Sequence, residues 1–143
     1  MAKQLKSSYK RLLVVAHDSK RRAHAPYSHF RVGAALESTS GRIYSGCNIE
    51  SSSYGLTMCA ERTAIFKAVS EGERNFRAIA VVADDPDFTP PCGACRQVLF
   101  DLAGNIDIIM VNRRGRIRIE KLKDLLPLAF NSKHLQPKKK SKA

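Results

Sequence analysis

Cys59, Glu61, Cys92 and Cys95 are the residues of this chain whose types and spacing suit chemistry. Cys59 opens the triplet Cys59-Ala60-Glu61, while Cys92 and Cys95 flank Gly93 and Ala94 directly after Pro91. The Cys92–Cys95 spacing alone leaves three readings open: half of a zinc site, a thioredoxin-like redox pair, or coincidence. Both cysteine sites fall where the pattern predicts helix starts. A thiolate there is stabilised by unpaired amides and the positive end of the helix dipole. Two such starts facing each other present three sulfurs to one tetrahedral zinc. Three protein ligands and an open position make a catalytic zinc, four ligands a structural one. Glu61 favours the catalytic reading, because two residues past Cys59 its carboxylate can reach a water on the metal without ligating it. A zinc that brings its water's pKa to about 7 needs such a group to take and return a proton. The competing reading puts all four cysteines in a structural site, with Glu61 a first-turn carboxylate of the kind helix dipoles favour. Cys47, the remaining cysteine, reads as a small buried residue.

The elements that must position these residues follow from apolar periodicity and turn residues. Leu12, Leu13, Val15 and Ala16 among basic neighbours predict an amphipathic helix over 7–23, broken by Ala25-Pro26-Tyr27-Ser28. Residues 30–36 and 42–49 read as strands joined in a hairpin at Ser40-Gly41. A helix is predicted over 58–70, ended by Gly72. The nearly continuous apolar run 78–83 marks a strand covered on both faces. The loop 84–91, rich in acids and prolines, cannot be helix interior, and a helix from 92 or 93 to 102 follows it. Residues 106–111 form another strand, 116–119 an exposed edge strand, and 121–125 a short helix before Pro127. The order α, β, β, α, β, α, β, β, α predicts an α/β fold, a three-layer α/β/α sandwich around a mixed five-stranded sheet.

Length and composition bound the answer further. At 143 residues, 43% of them hydrophobic and 27% charged, the chain fits one ordinary domain and excludes wholesale disorder and fibrous architectures. The domain is expected to span 1–135. Apolar runs fall far short of the roughly 20 residues that cross a bilayer, and no apolar segment of the secretory type follows the basic N-terminus. A soluble, cytoplasmic protein without a membrane partner is therefore expected. The net charge is +12, with 25 Lys and Arg against 13 acids, and five of the lysines lie at 133, 138, 139, 140 and 142. Residues 136–143 read as a disordered, solvated Lys-rich tail. Nucleic acid is not the expected partner.

Together, Cys59-Ala60-Glu61 and Pro91-Cys92-Gly93-Ala94-Cys95 match a zinc-deaminase signature. The chain resembles more specifically the small homotetrameric cytidine deaminases. The resemblance runs from about Tyr27 to Leu135, through Pro26-Tyr27-Ser28-His29-Phe30-Arg31-Val32-Gly33-Ala34-Ala35-Leu36, Gly46-Cys47-Asn48-Ile49-Glu50, Cys59-Ala60-Glu61-Arg62-Thr63-Ala64, Pro91-Cys92-Gly93-Ala94-Cys95-Arg96-Gln97-Val98 and Leu125-Leu126-Pro127.

It implies one zinc per subunit on Cys59, Cys92 and Cys95, with Glu61 shuttling protons as cytidine and 2'-deoxycytidine are hydrolysed to uridine, 2'-deoxyuridine and ammonia in pyrimidine salvage. It makes Asn48 and Glu50 the binders of the ribose hydroxyls, and places Phe30 and Ala60 against the substrate. Tyr54 and Phe130 would reach a neighbouring subunit's site in a homotetramer. Arg62 has an argument of its own. Three thiolates and Zn²⁺ sum to −1, and a guanidinium beside the sulfurs would withdraw that excess. Two departures stand out. Pro90 replaces the serine usual before the second Pro-Cys, removing a hydroxyl and an N–H, and Phe130-Asn131-Ser132 replaces a frequent Phe-Gly-Pro. Rival readings are a blasticidin-type deaminase, a polynucleotide-editing deaminase, and a nucleic-acid-binding module with a structural four-cysteine zinc.

Overall fold

The computed structural model describes residues 5–137. Helix α1 (Ser7–Lys20) precedes strands β1 (Val32–Ser38) and β2 (Ile43–Cys47). A 3-10 turn (Tyr54–Leu56) and α2 (Ala60–Ser70) follow, then β3 (Phe76–Ala83), α3 (Gly93–Ala103), β4 (Asp107–Val111), β5 (Ile117–Lys121), α4 (Leu122–Leu125) and a second 3-10 turn (Ser132–Leu135). The strands make one five-stranded sheet in the order β2-β1-β3-β4-β5. Among the described strands only β3 and β4 pair in parallel, and α3 crosses between them.

The apolar run of β3 has two faces to fill. Ile79, Val81 and Ala83 pack with Ala60, Ala64, Ile65 and Ala68 of α2 and Leu99 of α3. Ala78, Ala80 and Val82 face the other way, toward Tyr9, Leu12 and Ala16 of α1. The result is the expected three-layer sandwich of a mixed sheet, with α2 and α3 on one side and α1 on the other. Small residues set how closely the layers approach. A Cβ on Gly33 would stand 2.1 Å from the carbonyl oxygen of Ala16, and one on Gly46 would stand 2.3 Å from that of Ala60. Gly46 thus lets β2 lie directly against the first turn of α2.

Several boundaries differ from the predicted ones, each for a local reason. α1 stops at Lys20 rather than 23, because the N–H groups of Arg21, Arg22 and Ala23 bond three residues back instead of four. β1 starts at Val32 rather than 30, since His29 adopts φ 56° and turns the chain just before it. α2 starts at Ala60 rather than 58, because Met58 exchanges backbone bonds with Ile49. β3 begins two residues early, at Phe76, and β5 is the exposed edge strand expected. The 3-10 turn at Tyr54–Leu56 has no counterpart in the sequence pattern. Cys47 is half-buried rather than buried. It ends β2, an edge strand of the sheet, and its thiol points at the Arg22 carbonyl. Of the expected tail 136–143, residues 138–143 lie outside the described residues.

Candidate metal and active site

Cys59 and Cys92 are the residues that cap the N-termini of α2 and α3, and Cys95 sits on the first turn of α3. Because both helices lie on the same face of the sheet, their starts meet. The sulfurs of Cys59 and Cys92 are 3.8 Å apart, those of Cys92 and Cys95 3.4 Å, and all three lie within 4.8 Å of one another. A tetrahedral zinc with Zn–S of about 2.3 Å separates its sulfurs by about 3.8 Å, so the donor set and its spacing fit that ion. Cys47 is not part of the cluster, which removes the four-cysteine structural site. The loop entering α3 is held from below: Arg96 Nε donates to the Pro91 carbonyl at 2.7 Å and Nη1 to that of Leu125 at 2.8 Å.

The electrostatics suit a cation. Hydrogen bonding from Cys95, helped by the Arg62 guanidinium and opposed by burial, pulls the Cys59 thiol down to about 5. Cys95, bonded to Cys59, buried and facing Glu61, is pushed up. Zinc binding would release the protons these sulfurs hold. Arg62 Nη2 lies 3.4 Å from the Cys59 sulfur, and its buried Nε has no hydrogen-bond partner among the described residues. Glu61 is 4% exposed, and burial pushes its carboxyl up to about 7, within reach of both protonation states at neutral pH.

A cavity of about 210 Å³ opens against this cluster, and Phe30, Asn48, Cys59, Ala60, Glu61 and Cys92 line it. Six residues singled out from the sequence therefore share one pocket. Its remaining wall is Val32, Thr57, Thr89 and Pro90; of these, only Pro90 had drawn attention as a site position. Asn48 is nearly buried and fixes that wall, donating to the Phe30 carbonyl at 2.7 Å and accepting from the Val32 N–H at 2.8 Å.

Glu50 and Tyr54 line a second cavity of about 390 Å³ with Tyr27 and Ser28, and Thr57 is common to both. The Glu50 carboxylate accepts from the Ser28 hydroxyl and from the N–H groups of Tyr27 (2.9 Å) and Ser28 (3.2 Å). Those bonds, led by the Ser28 hydroxyl, hold it below the usual carboxylate range. Tyr54 is 74% exposed and packs edge-on against Tyr27. Phe130 lies elsewhere in its own chain, stacked on His134 in a cavity shared with Phe100 and Lys133. A larger, open cavity of about 640 Å³ between α1 and the β1–β2 turn holds none of these groups.

Ser28, Thr57 and Thr89 line these cavities and are not among the site residues expected from the sequence. Ser28 stands inside a matched motif, but a hydroxyl's partner 22 residues away is invisible without the fold. Thr89 offers no sequence signal at all.

Residues 6–111 match the family model described as the cytidine and deoxycytidylate deaminase zinc-binding region. A cytidine deaminase from Sporosarcina psychrophila is 48% identical over 126 residues, covering 87% of this chain and 93% of that one. A crystal structure of cytidine deaminase from Burkholderia pseudomallei superposes with a TM-score of 0.83 at 45% identity, covering 85% of this chain and 98% of the other. More distantly, a blasticidin-S deaminase from Bacillus cereus is 33% identical over 107 residues, 69% of this chain and 76% of its own. Matched over most of its length, with its three sulfurs gathered beside a buried carboxylate, the chain belongs to the cytidine and deoxycytidylate deaminase family and carries that family's zinc-binding domain.

Proposed function

We propose that this protein hydrolyses the exocyclic amino group of cytidine and 2'-deoxycytidine, giving the corresponding uridine and ammonia in cytoplasmic pyrimidine salvage. The observation that carries the reading is the gathering of the Cys59, Cys92 and Cys95 sulfurs beside a cavity that Cys59, Cys92 and the buried Glu61 line. Cys59, Cys92 and Cys95 would hold zinc, which when bound supplies the Lewis acidity that makes a water ionise near neutral pH. Glu61 would take a proton from the attacking water and give it to N3 of the pyrimidine as the oxygen bonds to C4, then pass the remaining hydroxyl proton from that oxygen to the amino nitrogen, so that the C4–N bond breaks and ammonia leaves. A buried carboxyl two residues from a ligand sulfur is placed to do both. Asn48 spends one N–H and one lone pair on Phe30 and Val32 and keeps one of each for the ribose. Glu50, anchored by Ser28 and Tyr27, offers its remaining lone pair to a ribose hydroxyl. Phe30 and Ala60 contact the substrate, and Arg62 withdraws charge from the sulfurs. In a homotetramer the exposed Tyr54 and Phe130 would complete a neighbour's site.

The test is ammonia release by zinc-loaded protein from cytidine, deoxycytidine, CMP, cytosine and blasticidin S in parallel, with Glu61→Gln as control. Turnover of the two nucleosides alone, reduced roughly 10²–10⁴-fold or more in the variant, supports the reading. Turnover of blasticidin S in place of the nucleosides would move the protein to the antibiotic-deaminase branch, and normal turnover by Glu61→Gln would remove its assigned role.

A further inference from the structure

Asp84 is the first residue after β3 and belongs to none of the motifs that mark the site. Its two carboxylate oxygens are taken by cations from two different parts of the chain. Lys20, at the end of α1, donates to Oδ1 at 2.5 Å, and Arg31, just before β1, donates through Nε to Oδ2 at 3.0 Å. The Asp84 N–H also donates to the Arg31 carbonyl at 3.2 Å. Exposed ion pairs usually contribute little, but here the Lys20 and Asp84 side chains are only 15% and 23% exposed. The lysine is fixed as well, because Gly33 lets the backbone at Lys20 rest directly on β1.

The position of this clamp gives it a task. Arg31 lies between Phe30 and Val32, which form one wall of the small cavity, and Asn48 bonds to the backbone of both. Asp84 begins the loop that carries Thr89 and Pro90, two further lining residues of the same cavity, and ends at Cys92. One carboxylate therefore ties the two lining stretches together where both leave the sheet. We infer that Asp84, gripped by Lys20 and Arg31, is a positioning residue that holds the walls of the nucleoside cavity at their working separation and so sets the affinity for nucleoside. The inference rests on the deaminase reading of that cavity.

The test is Arg31→Gln, which removes one arm from a half-exposed position, together with Asp84→Asn, which removes the grip on both. The expected result is a KM for cytidine raised roughly 10-fold, the mark of binding lost equally from ground and transition states, with kcat nearly unchanged and zinc content intact. Arg31→Lys, which keeps the charge, recovers most of the affinity. Amide exchange in the Arg31→Gln protein supplies a readout without substrate: the Val32 and Asp84 N–H groups should lose protection. A lower melting temperature with KM unchanged would show a merely structural salt bridge and overturn the inference, as would unchanged protection at both amides. A wild-type protein inert on cytidine would sink the functional reading alone, because exchange at Val32 and Asp84 still reports whether the walls are tied.

Discussion

The guanidinium of Arg62 lies one helical turn from Cys59 and reaches back to its sulfur, Nη2 to Sγ 3.4 Å. A positive charge there offsets the excess negative charge of three thiolates around a divalent ion, and it favours ionisation of a water bound at the same centre. Replacing it should work in the opposite sense. Arg62→Gln is expected to move the acid limb of the kcat/KM profile to higher pH by about one unit or more, the scale of an opposite charge within bonding range. The pH profile measured with zinc-saturated protein checks this, and an unmoved limb would show that Arg62 acts on packing instead.

Gly46 and Gly93 should behave oppositely although Gly93 is the one inside a cysteine motif. A Cβ at 46 meets the Ala60 carbonyl oxygen at 2.3 Å and the Ala64 nitrogen at 2.6 Å, both backbone atoms at the start of α2. Gly46→Ala should push the Cys59–Glu61 turn off the sheet, costing about 1–3 kcal/mol or more for overpacking, with zinc retention reduced. Nothing lies within 4 Å of a Cβ at Gly93, so Gly93→Ala should melt near wild type and keep its metal. Thermal melts and metal analysis of the two proteins decide it.

Metal content should separate the cysteines. Cys92→Ser is expected to lose zinc, whereas Cys47→Ser, whose thiol only touches the Arg22 carbonyl, is expected to keep it. Zinc lost from both proteins would return a four-cysteine site to consideration.

Acid sensitivity follows from two carboxylates. Burial alone would raise Asp84, but hydrogen bonds from Lys20 and Arg31 outweigh it and hold the group below the ordinary range. At Asp107 the same opposition is won by Lys121 and the Tyr9 hydroxyl. A carboxyl lowered in the folded state contributes stability that is fully present above its unfolded pKa of about 4 and is lost as pH falls through the folded value. The melting temperature should therefore drop on acidification below about pH 4, and Asp84→Asn with Asp107→Asn should start lower and flatten that drop. An equally steep drop in the double variant would assign it to other groups.

The parts of the site that the sequence displays are those built locally. Cys59 and Cys92 announce themselves because a sulfur at a helix start is a short-range arrangement, and Glu61 follows within one turn. The β3 run announces its two covered faces for the same reason. What stays hidden depends on long-range approach. Asn48 reads as a candidate for ribose, yet its first task in the fold is to pin Phe30 and Val32. Asp84 reads as one acid in a proline-rich loop until α1 brings Lys20 beside it. Tyr54–Leu56 forms a 3-10 turn that no periodicity encodes, because three residues are too few to show one.

Pro90 and Pro91 give one wall of the cavity a one-sided vocabulary. Neither has an N–H, and the Thr89 hydroxyl spends its hydrogen on Asp85 at 3.0 Å. Among the described residues, that leaves the Thr89 N–H as the stretch's backbone donor, and the Pro91 carbonyl is already taken by Arg96. A stretch short of donors suits an amino group better than a carbonyl oxygen. Pro90→Ser, which restores two donors, should accordingly strengthen inhibition by uridine, and an unchanged inhibition constant would place the amino group elsewhere. Since deamination exchanges an amino group for a carbonyl oxygen, a wall this poor in donors would hold the product less tightly than the substrate.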